Sequence, residues 1–146
     1  MNKLVALLVI AISVSTLGVF AKSISENSVD FLSAFKNCSS YKSEDIVEID
    51  GISSKVRKHI IGWDGYTCKY EETVEFKDLN FKSKVRCEFT GEQVREIYGV
   101  MKEENEKAMK NPEMYKDMTL ETANKSPVIK IWNKYLGDSS VCKIQM

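Results

Sequence analysis

Residues 66–90, YTCKYEETVEFKDLNFKSKVRCEFT, decide the fold, because apolar and polar side chains alternate along them. A period of two is typical of β-strands that bury one face, and the polar segment Lys77-Asp78-Leu79-Asn80 interrupts it as a turn. The stretch therefore predicts two antiparallel strands. The buried face of the first is expected to carry Tyr66, Cys68, Tyr70, Glu72, Val74 and Phe76, and that of the second Phe81, Ser83, Val85, Cys87 and Phe89.

Two more strands are predicted ahead of this pair. Residues 46–49 are a short apolar run, Asp50-Gly51 is a two-residue hairpin signal of type I′, and residues 52–61 continue as a second strand. Trp63-Asp64-Gly65 then supplies a tight turn into the third strand. The sequence thus predicts a four-stranded antiparallel meander that follows a polar loop over residues 38–45.

Helical spacing is found on both sides of the meander. A short helix is predicted over about residues 28–37, with Ser28 as its N-cap, because Phe31, Leu32 and Phe35 fall on one side at helical spacing. After the meander, Thr90-Gly91-Glu92-Gln93 has the spacing of a capping box, and it opens an amphipathic helix that Asn111-Pro112 ends. The apolar stripe of that helix is expected to contain Val94, Ile97, Tyr98, Met101, Ala108 and Met109.

The last helix has the strongest boundary signals. Ser126 before Pro127 predicts its start and Gly137 its end, and a weak helical turn is expected upstream at residues 114–118. A helix of about ten residues is marginal in water alone, so we expect it to dock on the sheet. The docking residues should be Ile131, Trp132 and Tyr135. The predicted fold class is α+β: an N-terminal helix, a four-stranded antiparallel meander and C-terminal helices packed on one sheet face.

Residues 1–21 have the layout of a secretory signal peptide. Lys3 precedes an apolar run over residues 4–12, and Val19-Phe20-Ala21 places small or branched residues before a cleavage site after Ala21. An uncleaved membrane anchor is the alternative, since residues 4–21 carry no charge. Cleavage would leave residues 22–146 as a single periplasmic or secreted domain without a stable membrane span.

The four cysteines, Cys38, Cys68, Cys87 and Cys142, all follow that segment. An even number in an exported chain predicts two disulfides, and no Cys-x-x-Cys or zinc spacing is present. A hairpin centred on Lys77-Asp78 would place Cys68 opposite Cys87 and leave Cys38 to pair with Cys142. A register shift of two, or the pairs Cys38–Cys68 and Cys87–Cys142, would satisfy the same count and stay open.

Composition and motifs exclude several kinds of site. The chain has 21 basic and 21 acidic side chains and a formal net charge of zero, which argues against nucleic acid as a partner. His59 is its only histidine, and no nucleophile motif accompanies it, so we predict no catalytic, metal or cofactor site. Glycosidases use paired carboxylates, but the acidic pairs here are expected to be solvated charge. These pairs are Glu44-Asp45, Glu71-Glu72 and Glu103-Glu104.

Two aromatic residues stand out as candidates for a recognition surface. Trp63 lies in a predicted turn and Tyr41 in a predicted loop, and neither has an obvious burial partner in the sequence. We therefore expect an exported, disulfide-stabilised, non-enzymatic protein that binds a protein or small-molecule partner. The alternatives are a carrier of a small apolar ligand between sheet and helices, and a hydrolase with an unrecognised site.

Three short motifs carry a family resemblance over about residues 28–110. Cys38-Ser39-Ser40-Tyr41 follows the first helix, and Cys68-Lys69-Tyr70 and Cys87-Glu88-Phe89 lie on successive strands. This arrangement resembles a family of small exported proteins of Gram-negative bacteria, whose members have proline where this chain has Ser40. The resemblance implies a periplasmic setting. It implies no catalytic residues, because no activity is established for that family.

Overall fold

The computed structural model describes residues 26–49, 51–111, 113, 121 and 124–146. The predicted signal peptide, Asp50 and the predicted turn at residues 114–118 lie outside them. The described helices are α1 (Glu26–Asn37), α2 (Gly91–Lys110) and α3 (Pro127–Leu136), with a 3₁₀ turn at Lys77–Leu79. The strands are β1 (Tyr41–Ile49), β2 (Ile52–Asp64), β3 (Thr67–Phe76), β4 (Phe81–Thr90) and β5 (Cys142–Gln145).

The described strands form one antiparallel sheet in the order β1-β2-β3-β4-β5. The α+β class and the meander are confirmed, but the sheet has five strands where four were predicted. The fifth strand is formed by residues 142–145, for which the sequence predicted no element. Its four residues pair with β4, from Cys87↔Cys142 to Lys84↔Gln145. Four residues are too few to show a strand periodicity in the sequence. β5 forms because it pairs with β4.

Two strand boundaries differ from the sequence-based expectation. β1 begins at Tyr41, so most of the predicted polar loop belongs to a strand whose Lys42, Ser43 and Glu44 alternate between the two faces. The β2–β3 turn consists of Gly65 and Tyr66, because Asp64 pairs with Thr67. Tyr66 was assigned to the buried face of β3. It lies in the turn instead.

The helix signals are confirmed in their positions and corrected in detail. The Thr90 hydroxyl accepts from the Gln93 N–H at 3.2 Å while the Thr90 N–H donates to Gln93 Oε1 at 2.9 Å, which completes the capping box. Ser28 lies inside α1, so it is not the N-cap. Met109 is exposed, and Glu104 and Asn105 are buried in the stripe of α2.

The termini of α3 follow a different mechanism from the one expected. The helix spans the predicted residues, but the Ser126 side chain makes no capping hydrogen bond. Gly137 ends the helix in a right-handed conformation with φ of −80°, so a left-handed glycine cap is not what stops it. The Gly137 N–H donates to the Asn133 carbonyl at 3.0 Å. Pro127 and Gly137 therefore predict both ends of α3 correctly, but the hydrogen bonds and backbone conformation at those ends differ from the expected caps.

The core lies between the inner face of the sheet and the helices. Trp132 of α3 is fully buried, as predicted, and its ring lies 5.8 Å from Tyr70 and 6.0 Å from Phe89, measured between centroids. Phe35 of α1 completes the cluster at 6.3 Å from Trp132. Aromatic rings from β3, β4, α1 and α3 therefore pack in one cluster. Tyr135 and Ile131 are also buried, so α3 docks as expected.

The disulfides are Cys38–Cys68 and Cys87–Cys142, the pairing that the sequence left as the alternative. The favoured pairing, Cys68 with Cys87, is wrong by a register shift of two. Phe76 pairs with Phe81 around a four-residue turn, which places Cys68 opposite Phe89 and Cys87 opposite Tyr70. Asn80 closes that turn with a left-handed φ of 46°. Since β5 lies on the other side of β4, Cys87 reaches Cys142 directly.

Candidate functional site

Trp63 lies at the end of β2, where it remains 48% exposed. Its indole N–H donates to the Asn37 carbonyl at the end of α1 over 3.1 Å. The backbone of Trp63 pairs with Cys68, whose disulfide to Cys38 joins the same end of α1 to the sheet. Trp63 is therefore held in place on one side and open to solvent on the other.

Tyr66, two residues beyond the Trp63-Asp64 end of β2, is the most exposed large apolar side chain of the described residues, at 94%. The sequence analysis missed it as a surface residue. The signal that could have found it is the two-residue turn Gly65-Tyr66, because glycine at the first central position is typical of a type II′ hairpin. Gly65 has a φ of +63°, a left-handed value that most side chains disfavour.

Charged residues lie near Trp63 and on either side of the Gly65-Tyr66 turn. A Cβ atom on Gly91, at the start of α2, would lie 3.6 Å from Arg95 Nη1 and 3.8 Å from the Trp63 ring. Asp64 and Lys69 form an ion pair of 2.7 Å beside the turn, and the hydrogen bond from Lys69 lowers the pKa of the Asp64 carboxyl. We call Trp63, Tyr66 and Arg95 the hairpin-tip surface. Tryptophan, tyrosine and arginine are the residue types most enriched at protein-binding hot spots.

Tyr41, the other predicted recognition residue, lies in a different environment. It begins β1 and not a loop, it is half-buried, and its ring lies 5.8 Å from the Phe31 ring of α1. The expectation that Tyr41 lacks a burial partner is therefore wrong. Burial is also the largest cause of the raised pKa of its hydroxyl. Tyr41 lies against the middle of α1, whereas Trp63 lies against its end.

A cluster of ionisable side chains is buried on the inner face. Lys58 Nζ lies 3.4 Å from Asp45 Oδ2 and 4.6 Å above the Phe31 ring. The Tyr70 hydroxyl donates to Glu72 Oε2 at 2.5 Å. Burial lowers the pKa of Lys58, against the opposing effect of Glu72 and Asp45, and burial together with Glu72 raises that of Tyr70 well above its ordinary value. This cluster joins α1 to the first three strands.

The cluster corrects the expectation that the acidic pairs are solvated. In each pair one carboxylate lies on the surface side and the other is buried: Asp45, Glu72 and Glu104 are the buried members. Adjacent residues of a strand point to opposite faces, so one residue of each strand pair had to face inward. The expectation of solvated charge was therefore wrong for the inward member of each strand pair.

His59 lies on the outer face of β2, half-buried and directly opposite Glu71 of β3. A histidine beside a carboxylate can act as an acid–base pair. Here Lys84 and Arg86 bind the two Glu71 oxygens at 3.1 and 3.2 Å, so the carboxylate is already occupied by cations. Within the described ranges, no group of three or more histidine, cysteine or acidic residues could hold a metal ion.

Two surface hollows are lined by described residues around the β3–β4 turn. One has a volume of about 340 Å³ and contains Phe81, Asn80 and Lys82, and the other has about 240 Å³ and contains Ile46 and Lys55. Both share Glu75, near the end of β3, and Lys77, at the start of the turn. Neither lies between the sheet and the helices, where a carrier would hold its ligand.

Comparison of the chain with family models, with curated proteins and with solved structures gives no match in any of the three. In the part of the chain that the structure describes, no helix is long and apolar enough to cross a membrane. The fold and the two disulfides define a small disulfide-linked α+β domain, and any function has to be argued from its own surface.

Proposed function

We propose that this protein is an exported, non-enzymatic binding module that contacts a protein partner through the hairpin-tip surface. The observation that carries the proposal is the nearly complete exposure of Tyr66 beside the half-exposed Trp63. Large aromatic side chains are normally buried in an isolated domain, and exposed ones at a fixed site are typical of binding anchors.

The disulfides support export. All four cysteines of the chain are paired, and disulfides persist in oxidising compartments such as the periplasm and the extracellular space. The signal-like layout of residues 1–21 supports the same setting. Location in the periplasm or outside the cell therefore forms part of this proposal.

The rigid support of the tip favours binding. The Trp63–Asn37 hydrogen bond and the Cys38–Cys68 disulfide attach the ends of β2 and β3 to the end of α1, and the capping box at Thr90 orders the junction between β4 and α2. Thr67 and Thr90 are paired directly beside the turn. A surface that is ordered before binding loses little conformational entropy in the complex, which improves affinity.

The shape of the tip favours a protein over a small molecule. Small-molecule sites are concave and bury most of their ligand, whereas Tyr66 projects from a turn. A projecting aromatic ring fits a pocket on the surface of a partner. Arg95, which like Trp63 lies close to Gly91, adds a planar cation that can bond a carboxylate of that partner.

The location is tested by fractionating cells that express the full chain at native level. We expect the protein in the periplasmic or extracellular fraction, with an N-terminus at Lys22 and no free thiols. An N-terminus at Met1 would mean that the apolar segment is retained. Recovery in the cytosol with four free thiols would refute export.

The site is tested by capture from envelope and medium with the oxidised protein as bait. We expect Tyr66→Ala to reduce affinity for the captured partner by about thirtyfold or more, since loss of a hot-spot residue costs at least about 2 kcal/mol. The matched control is Met109→Ala, which truncates an exposed side chain on α2, away from the tip. Equal capture by wild type and Tyr66→Ala would refute the hairpin-tip surface as the binding site.

A further inference from the structure

The two edges of the sheet differ in how they are protected from pairing with another strand. β5 has four residues, and short edge strands give little room for pairing. β1 has nine residues in continuous register with β2, from Tyr41↔Ile60 to Ile49↔Ile52, without a bulge. It also contains no proline. A long, regular edge of this kind presents a row of backbone groups that a further strand can pair with, provided that the charges along it are matched.

The turn between β1 and β2 defines which backbone groups of β1 point outward. Ile49 pairs with Ile52 across a two-residue turn, so the odd-numbered residues of β1 bond to β2. The N–H and C=O groups of the alternate residues then face the edge of the sheet that no other described strand covers. These residues are Lys42, Glu44, Ile46 and Glu48. Ile46, in the middle of the strand, is 50% exposed.

We propose that β1 pairs antiparallel with β1 of a second copy of this chain, about a two-fold axis at Asp45. This register places Lys42 of each copy opposite Glu48 of the other. Opposite charges on facing residues stabilise a strand pair. The same register places Ile46 of one copy opposite Glu44 of the other. Ile46 of the other copy is then its diagonal neighbour, so each of these two exposed side chains shields part of the other from water.

Neighbouring registers lack this complementarity. A two-fold axis at Ile46 would place Glu44 opposite Glu48, and an axis at Glu44 would place Glu44 opposite itself. Lys55 and Arg57 of the same chain already bind Glu44 at 3.3 and 2.7 Å, so these registers are disfavoured because neither sets Lys42 opposite Glu48. At the Asp45 axis the two aspartates meet on the inner face, where each lies 3.4 Å from Lys58 of its own chain. Lys58 of each chain compensates the negative charge of its Asp45, which would otherwise repel Asp45 of the second copy.

The first test is sedimentation velocity of the oxidised protein over a range of micromolar concentrations. We expect a concentration-dependent dimer that Ile46→Lys abolishes, because an outward lysine at the centre of an edge opposes pairing. The matched control is Met109→Lys, the same kind of change at an exposed site on α2, which should leave the dimer intact. A wild-type monomer at every concentration, or a dimer insensitive to Ile46→Lys, would overturn the proposal.

The second test is a charge exchange that reports the register. We expect E48K and K42E each to weaken dimerisation about three- to tenfold, since each places like charges at two symmetric positions. The double variant K42E/E48K restores opposite charges and should recover wild-type affinity. Failure of the double variant to recover would refute the Asp45-centred register.

The third test uses hydrogen exchange of the Glu44 and Ile46 amides, which should be protected only at concentrations where the dimer forms. Protection that is already complete in the dilute monomer would show that another segment of the same chain covers β1. That result would overturn pairing with a second copy. None of these variants alters Tyr66 or Trp63, so failure here is independent of the proposed binding tip.

Discussion

The two tryptophans of this protein occupy opposite kinds of environment. Trp132 is completely buried in the aromatic cluster between α3 and the sheet, while Trp63 is half-exposed at the hairpin tip. Trp63 bonds the Asn37 carbonyl, whereas the indole N–H of Trp132 has no acceptor among the described residues. Ring packing therefore outweighs a missing hydrogen bond in the interior, and a hydrogen bond positions an exposed ring at the tip.

The same type of side chain can therefore serve stability or recognition according to its surroundings. An interior ring contributes by excluding water on every side, so its removal leaves a cavity. A tip ring has one supported side and one free side. Changes in the interior should therefore reduce stability, whereas changes at the tip should mainly reduce binding.

The largest effect is expected from the disulfides, which support both regions. Each closes a loop long enough to contribute about 3 to 5 kcal/mol, and together they rival the total stability of about 5 to 15 kcal/mol that is typical of a domain. Reduction should therefore unfold the protein or lower its urea midpoint severely. Urea titrations with and without reductant measure this.

Removal of each disulfide should affect a different part of the protein. C38S/C68S removes the link between α1 and the hairpin tip, so it should loosen the Trp63 environment as well as lower stability. C87S/C142S removes the link to β5 and should leave the tip intact. Fluorescence of Trp63 in a Trp132→Phe background separates the two outcomes, and equal changes in both variants would contradict the distinction.

An intermediate effect is expected from the tryptophans themselves. Trp132→Ala should lower the free energy of unfolding by about 3 to 5 kcal/mol, the usual range for a large aromatic core residue. Trp63→Ala loses one hydrogen bond and part of its packing, so about 1 kcal/mol is expected. Thermal melts compare them, and an unchanged midpoint for Trp132→Ala would refute its role in the core.

The smallest effect is expected at Glu96, which links α2 to α3. Its carboxylate accepts hydrogen bonds from the Tyr135 hydroxyl and from Lys134, and these two bonds lower its pKa. A lowered carboxyl pKa stabilises the fold above the unfolded value of about 4.5, and this contribution is lost as the pH falls through the folded value. Because Glu96 is exposed, we expect less than about 1 kcal/mol.

The measurement is stability as a function of pH for wild type and Glu96→Gln. The wild type should lose more stability than the variant as the pH falls through about 4.5, where the unfolded carboxyl is half protonated, towards the lower folded pKa. Glu106→Gln is the matched control on the exposed side of the same helix. Identical pH profiles for wild type and Glu96→Gln would show that the link does not contribute.

Local signals in the chain were sufficient for much of this architecture. Alternation along residues 66–90 identified the inward faces of β3 and β4, except for Tyr66. The capping box placed the start of α2, and Pro127 and Gly137 placed both ends of α3. Such signals are readable because each depends on residues within about one turn of each other.

The candidate site was found only in part. Trp63 was identified from its place near a predicted turn, but the turn lies two residues later, and this difference exposes Tyr66 instead of burying it. Arg95 approaches Trp63 from α2, across a separation in sequence that no local pattern covers. The buried partners of Lys58 were missed for the same reason.

The sequence by itself determined which residues prefer strands, which begin and end helices, and which side of each strand is apolar. Tertiary structure alone decided the register, the fifth strand and the disulfide pairing. The physical reason lies in the period of a strand: a shift of two residues returns every side chain to the same face, so the pattern cannot distinguish Cys68 opposite Cys87 from Cys68 opposite Phe89. The four-residue turn at Lys77–Asn80 and the docking of β5 on β4 make that choice.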